Sequence, residues 1–259
     1  MNVMRAALIA GLWLLGSAFA QSEADADPVL TLARRAAAEY GTSLPNYICQ
    51  ESMERYNVVP NNFRAQPQHL DTVLAEVVYE NGKENFRNLR VNGRPAAQAA
   101  GGIWSIGVFG PLMASVFDPR LAAEFRRRDT GHEGGRAVVR YDFTVPEAKS
   151  NWVITNFVRG AEVKAKPGYH GSIWIEISSG RILRHEIETG KMPPAFYYQE
   201  ASLKVRYRFV KINSQEYLLP QTTESRLCPR GFLYCDRVDA TYSDCHKFSA
   251  ESSLKFDAE

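Results

Sequence analysis

Five His and four Cys are the side chains on which nucleophilic, acid–base or metal chemistry would have to be built in this 259-residue chain. Gly131-His132-Glu133-Gly134-Gly135 sets an imidazole beside a carboxylate and is the strongest acid–base candidate. Its glycines, and its place between Phe125–Asp129 and a strand starting at Arg136, predict a hairpin loop instead. His69, His170 and His246 stand alone, and His185 falls among the apolar positions of its strand, which predicts a hydrogen-bonded core histidine. Arg126-Arg127-Arg128 reads as a solvated strand end rather than an anion site. The chain has no Gly-x-Ser-x-Gly elbow, no His-Glu-x-x-His helix, no phosphate-cradling loop and no dinucleotide fingerprint. No nucleophile, base and orienting group stand together, so no catalytic residue is assigned and neither cofactor nor metal is expected.

The role of the cysteines depends on the compartment. Met1–Arg5 is short and positively charged, Ala6–Leu15 is a compact apolar run, and Ala18-Phe19-Ala20 places small residues where a signal peptidase reads them. This predicts an export signal over residues 1–20, cleaved after Ala20, then a polar leader over 21–27 and a single β-rich domain over 28–259. The apolar run is shorter than the roughly 20 residues a spanning helix needs, and no later run reaches that length. The expected product is a periplasmic or secreted protein with no stable transmembrane anchor after cleavage. In an oxidising compartment, Cys49, Cys228, Cys235 and Cys245 read as two disulfides, with three connectivities open. Cys228 and Cys235 flank the short Pro229–Tyr234 loop and can meet locally. That leaves Cys49 for Cys245, a bond that would tie the first strand to the last. The cysteine spacings match no zinc pattern.

The elements that would position these groups follow from periodicity. Asp27 is suited to an N-cap, Pro28 to the first helical position and Gly41 to the stop. Between them Val29, Leu32, Ala36 and Tyr40 recur at helical spacing. From Leu44 the period becomes two: Val73, Ala75, Val77 and Tyr79 lead to an Asn81-Gly82 hairpin turn, and Val139, Tyr141, Phe143 and Val145 share one face. Ile173, Ile175 and Ile177 pair through a Ser178–Arg181 turn with Leu183, His185 and Ile187. Leu203, Val205, Tyr207 and Phe209 alternate with Lys204, Arg206 and Arg208, which predicts a row of cations in water. Further strands are expected over 216–225, 238–248 and 252–256. Consecutive hairpins with one wet face describe a large antiparallel sheet rather than a parallel α/β fold.

One segment breaks the alternation. Gly101–Gly110 is glycine-rich and apolar, and Pro111–Phe117 continues as a short apolar helix before Asp118-Pro119 ends or redirects it. Such a helix must bury itself on the apolar face of the sheet, either as permanent packing or as a lid over a cavity. If a cavity exists, its expected lining from this segment is Ile103, Trp104, Ile106, Phe109, Leu112, Met113 and Phe117. The facing strands would add Tyr141, Phe143, Ile175, Tyr207 and Phe209.

Composition excludes more than it selects. The chain is 45 % hydrophobic and 23 % charged with a net charge of +2, a globular profile. Loss of Arg5 with the signal leaves 30 basic against 29 acidic residues. A near-neutral surface excludes electrostatic nucleic-acid binding.

Leu44-Pro45-Asn46-Tyr47-Ile48-Cys49-Gln50-Glu51, Ala75–Gly82, Val91-Asn92-Gly93, Phe117-Asp118-Pro119, Arg140–Pro146 and Lys247–Ser252 together resemble a group of uncharacterised secreted bacterial proteins. The hairpin meander and the ending also resemble the LolA/LolB and MucB/RseB-like lipoprotein-localisation fold. The resemblance implies an α+β, mainly β architecture: a curved, unclosed antiparallel half-barrel with an N-terminal helix and a short apolar helix against its concave face. It further implies a lipid, acyl-chain or lipoprotein ligand held in that concavity, while a fold alone does not fix function. Three readings follow. The first is an exported, non-catalytic carrier or binding protein for a hydrophobic ligand. The second is a structural or protein-interaction module of the cell envelope with a packed interior and a protein partner. The third is a hydrolase built on His132 and Glu133.

Overall fold

The computed structural model describes residues 27–96 and 111–247, apart from 61, 63 and 82. The expected signal segment, Ile103, Trp104, Ile106, Phe109 and the strand expected over 252–256 lie outside the described residues. Helix α1 (Pro28–Ser43) opens the described chain. One oxygen of the Asp27 carboxylate accepts the backbone N–H groups of Val29 at 2.9 Å and Leu30 at 3.4 Å, a cap worth about 1 kcal/mol. The other accepts the Tyr141 hydroxyl at 2.8 Å and the Arg127 guanidinium at 2.9 Å. One side chain therefore starts the helix and ties it to the sheet.

Thirteen strands follow among the described residues. They are β1 (Tyr47–Val58), β2 (Gln68–Glu80), β3 (Lys83–Val91), β4 (Arg94–Pro95), β5 (Glu124–Glu133), β6 (Arg136–Val145) and β7 (Ile154–Val158). The series continues with β8 (Ala161–Ala165), β9 (Tyr169–Glu176), β10 (Ile182–Thr189), β11 (Tyr198–Ile212), β12 (Gln215–Pro229) and β13 (Cys235–Lys247). Eleven of them form one antiparallel sheet in the order β4-β3-β2-β1-β13-β12-β11-β10-β9-β6-β5. Its two edges, β4 and β5, do not meet, so the sheet is not closed into a barrel. β7 and β8 make a separate hairpin between β6 and β9. A short helix, α2 (Pro111–Ser115), precedes β5. The chain is then redirected by a 3-10 turn at Pro119–Leu121, where the Asp118 carboxylate accepts the Arg120 N–H at 2.9 Å.

The apolar alternation explains the layering. Val139, Tyr141, Phe143 and Val145 of β6 and Ile173 and Ile175 of β9 are buried on one face. They join a single core with residues of α1, α2, β1 to β3 and β10 to β13. A 16-residue helix is about 24 Å long, and five strand spacings of about 4.8 Å cover the same distance. Asp27 at one end of α1 bonds β5 and β6, and the Tyr40 hydroxyl at the other donates to the Leu218 carbonyl of β12 at 2.6 Å, five strands along the sheet from β5. The helix lies across that half of the sheet. These two clamps also set its rotation: Val29, Leu30, Ala33, Ala37 and Tyr40 are buried, whereas Leu32 and Ala36, expected inside, are half-buried, and the helix runs past Gly41 to Ser43.

The structure joins Cys49 of β1 to Cys245 of β13 and Cys228 to Cys235 across the β12–β13 turn. The expected row of bare cations on the outer face is instead a lattice of ion pairs. Lys204 meets Glu224 at 2.7 Å, Arg128 meets Asp142 at 2.6 Å, and Arg206 pairs with Glu133. Lys204 stands opposite Glu224 across β11–β12, and Arg128 meets Asp142 across β5–β6, so on these neighbouring strands opposite charges find partners rather than water alone. Arg126, Arg127 and Arg128 are exposed near the start of β5, as expected, with Arg127 also bonded to Asp27 and Arg128 to Asp142.

Candidate functional site

Helix α1 presents Ala33, Ala36 and Ala37 toward α2 and the sheet, and small side chains at i, i+3 and i+4 leave a seam where larger ones would fill it. These alanines, with Tyr40, Met113 of α2, Gly180 and Arg181 of the β9–β10 turn, and Ile182 and Leu218 of the sheet, line a narrow, mainly apolar cleft. Its free volume is about 10 Å³, room for at most about one water, so the surrounding side chains nearly fill it. Ala36, Tyr40, Arg181 and Leu218 also line a wider mouth of about 520 Å³ at the C-terminal end of α1, where Glu39, Gln215 and Tyr217 add polar edges. That volume lies within the range of small-molecule sites. The mouth therefore offers hydrogen-bonding and charged groups, and the cleft beside it is apolar apart from Arg181 and the Tyr40 hydroxyl. Gly180 holds the floor: its φ is +72°, and a Cβ there would stand 2.6 Å from the Leu32 backbone. Only glycine lets the β9–β10 turn approach α1 this closely.

Two ionisable groups lie deep in the inner face of the sheet. Glu51 of β1 is 1 % exposed and directly opposite Tyr242 of β13. Burial pushes its carboxyl up to about 8, so it is largely protonated at neutral pH. His185 of β10 is 2 % exposed, its ring 5.6 Å from that of Phe143, and burial lowers it to about 3. Neither ring nitrogen has a hydrogen-bond partner among the described residues, which corrects the expected hydrogen-bonded histidine. Its strand neighbours on that face are all apolar, which leaves no acceptor in reach.

The expected lining residues divide. Met113 lines the cleft. Leu112 and Phe117 are half-buried against the core, Phe117 stacking on Phe125 at 5.4 Å. Tyr141 is held by Asp27, and Phe143, Ile175 and Tyr207 are packed in the core. Phe209 is half-buried beneath two guanidiniums, Arg136 at 4.0 Å and Arg181 at 5.3 Å from the ring centre. The cleft and mouth are supplied mainly by residues that strand alternation did not single out: the α1 alanines, Arg181, Tyr217 and Leu218. The alanine spacing was the available signal, since three small residues on one helical face mark a close approach.

The other chemistry-bearing candidates lie apart from the cleft. His132 is exposed near the β5–β6 turn, and Glu133 pairs with Arg206 and Arg184 on the outer face. Among the described residues no group of three His, Cys, Asp or Glu side chains is arranged to hold a metal ion. No helix among them is long and apolar enough to cross a membrane.

No family model matches the chain, and no curated protein matches it. Among solved structures, the chain is similar to a domain from Vibrio parahaemolyticus described as an outer membrane lipoprotein-sorting protein, at 12 % identity and a TM-score of 0.42, over 88 % of this chain and 95 % of that one. It is also similar to a LolA superfamily protein from Nitrosomonas europaea, at 10 % identity and a TM-score of 0.31, over 85 % and 93 % of the two chains. A third likeness, at 12 % identity and a TM-score of 0.24, is to a chain of the MucA/MucB complex of Pseudomonas aeruginosa, over 87 % of this chain and all of that one.

Proposed function

We propose that the protein is an exported, non-catalytic cell-envelope protein that binds an amphiphile, its polar head at the mouth beside Arg181 and its acyl chain in the cleft between α1, Met113 and the sheet. The observation that carries this reading is the continuity of the two spaces. A polar mouth of about 520 Å³ adjoins a mainly apolar seam through the shared residues Ala36, Tyr40, Arg181 and Leu218. The seam is lined in part by a methionine, whose unbranched thioether re-packs more readily than a branched side chain. Two disulfides fit an oxidising compartment and hence export.

Titration of the delipidated protein with a fluorescent fatty acid tests the reading. Saturable binding is expected, weakened at least about tenfold by Ala36→Leu, which narrows the junction by three carbons without entering the fully buried core. A fluorescence trace that rises linearly without saturation sinks it. The near-closure of the cleft favours a second reading, in which α1 and α2 fill the sheet permanently and the protein acts as an interaction module. Recovery of a stoichiometric protein partner with no lipid would support that second reading.

A further inference from the structure

Exposed apolar side chains are unevenly distributed over the molecule. Of the twelve large hydrophobics exposed among the described residues, ten lie at one end of the sheet, Leu74 and Ile177 being the exceptions. At that end β1, β10 and β12 finish, β11 and β13 begin, and the β7–β8 hairpin packs through Ile154 and Ala165 on Met192, Phe196 and Ala201. Two tips stand out. Leu233, 86 % exposed, sits on the β12–β13 turn between Phe232 and Tyr234. The turn is stapled by Cys228–Cys235, and the Arg230 N–H donates to the Tyr197 carbonyl at 2.7 Å. The Phe232 ring is 6.2 Å from Tyr197 and 5.5 Å from Tyr234. Phe157, 69 % exposed and followed by exposed Val158, forms the second tip on β7. Phe157, Leu70 and Tyr198 line a shared groove of about 480 Å³.

The exposed cations around the tips are mainly without ion-pair partners. Arg159, Lys164, Lys166, Lys191 and Arg230 are exposed at this end, and of these Lys164 alone has an ion pair among the described residues, with Glu162 at 2.9 Å. The other acidic side chains here are Asp71 and Glu200, paired with Arg55 and Arg226, half-buried Asp236, Glu147 beside Lys149, and exposed Glu188. We propose that this end of the sheet docks on an anionic lipid surface, Leu233 and Phe157 entering at headgroup depth and the surrounding cations meeting lipid phosphates. Apolar side chains raised on separate turns above a cationic base match a bilayer interface, where a small insertion is flanked by negative headgroups. A protein hot spot is instead a central, enclosed pocket ringed by contacts that exclude water. The stapled turn presents Leu233 already ordered, so little conformational freedom is lost on insertion.

Sedimentation of the oxidised protein, recovered from an exporting host, with phosphatidylglycerol-containing vesicles and with pure phosphatidylcholine vesicles tests the inference. Binding to the anionic vesicles is expected, weakened by added salt and by Lys166→Gln with Lys191→Gln. Leu233→Ser and Phe157→Ser should each lower it about tenfold, the transfer contribution of one large apolar side chain. Both side chains are exposed, so thermal unfolding of these variants should coincide with that of the parent. No binding to anionic vesicles, equal binding to both kinds, or binding indifferent to both tip substitutions overturns the proposal. Fatty-acid uptake at the α1 cleft is read on the same variants in the absence of vesicles, so loss of docking is distinguishable from loss of the ligand site.

Discussion

At the scale of single residues, Glu51 and His185 impose opposite pH dependences. Burial holds the Glu51 carboxyl at about 8 in the folded chain against an ordinary value near 4.5. The folded state keeps a proton the unfolded state loses, so its stability falls as pH rises from about 4.5 toward 8. Replacement by Gln should raise the unfolding free energy by about 3 kcal/mol near pH 7 and leave it unchanged near pH 4. Burial holds His185 at about 3 against 6.5. Here the unfolded state gains a proton the folded state refuses, so stability is lost as pH falls from about 6.5 toward 3. His185→Leu should flatten that acid limb, recovering about 3 kcal/mol near pH 4. Between pH 4.5 and 6.5 the two effects offset, and urea titrations of both variants across pH separate them. The burial of His185 was legible from alternation, because it occupies an apolar position. The depth of Glu51 was not, since its burial comes from Tyr242 on a strand nearly two hundred residues away.

At the scale of elements, α1 and the first and last described strands are held by covalent and polar clamps whose reach differs. Cys49–Cys245 spans 196 residues and Cys228–Cys235 spans 7. On the chain-entropy account the long loop is worth about 5 kcal/mol and the short one about 2. Denaturation of the Cys49→Ala/Cys245→Ala and Cys228→Ala/Cys235→Ala variants should show that order. A larger loss from the short loop would show that local geometry, not chain restriction, dominates. Asp27 caps α1 and accepts from Tyr141 and Arg127, which hold its carboxyl below the ordinary range despite a burial that would raise it. Asp27→Ala should cost about 2 kcal/mol, more than a cap alone, and the parent's advantage should fade as pH drops through the carboxylate range. Gly171→Ala places a Cβ 1.9 Å from the Glu186 carbonyl oxygen and should disrupt β9–β10 pairing by on the order of 3 kcal/mol. The strands themselves were readable, because period-two alternation survives wherever one face is buried. The rotation of α1 was not, since two overlapping stripes both have helical spacing and only its clamps to β6 and β12 choose between them. β7 and β8 gave no periodic signal, being five residues each with exposed apolar positions.

At the scale of the whole molecule, an unclosed sheet with one helix across it creates a seam where a barrel would have none. Its open edges, β4 and β5, are short or charged, which guards against edge-to-edge pairing. The meander, its antiparallel sense and the place of β13 beside β1 follow from alternation, hairpin turns and the first-to-last cysteine pairing. The location of the cleft does not, because it depends on which alanines of α1 face Met113 once the helix lies across the sheet. Intact-mass measurement under native conditions, on protein isolated from the envelope without detergent, tests the central claim most directly. The account predicts a single acyl-lipid adduct that is lost in the Ala36→Leu variant while the fold persists. A homogeneous unliganded mass in the parent, with no uptake on addition of fatty acid, would contradict it.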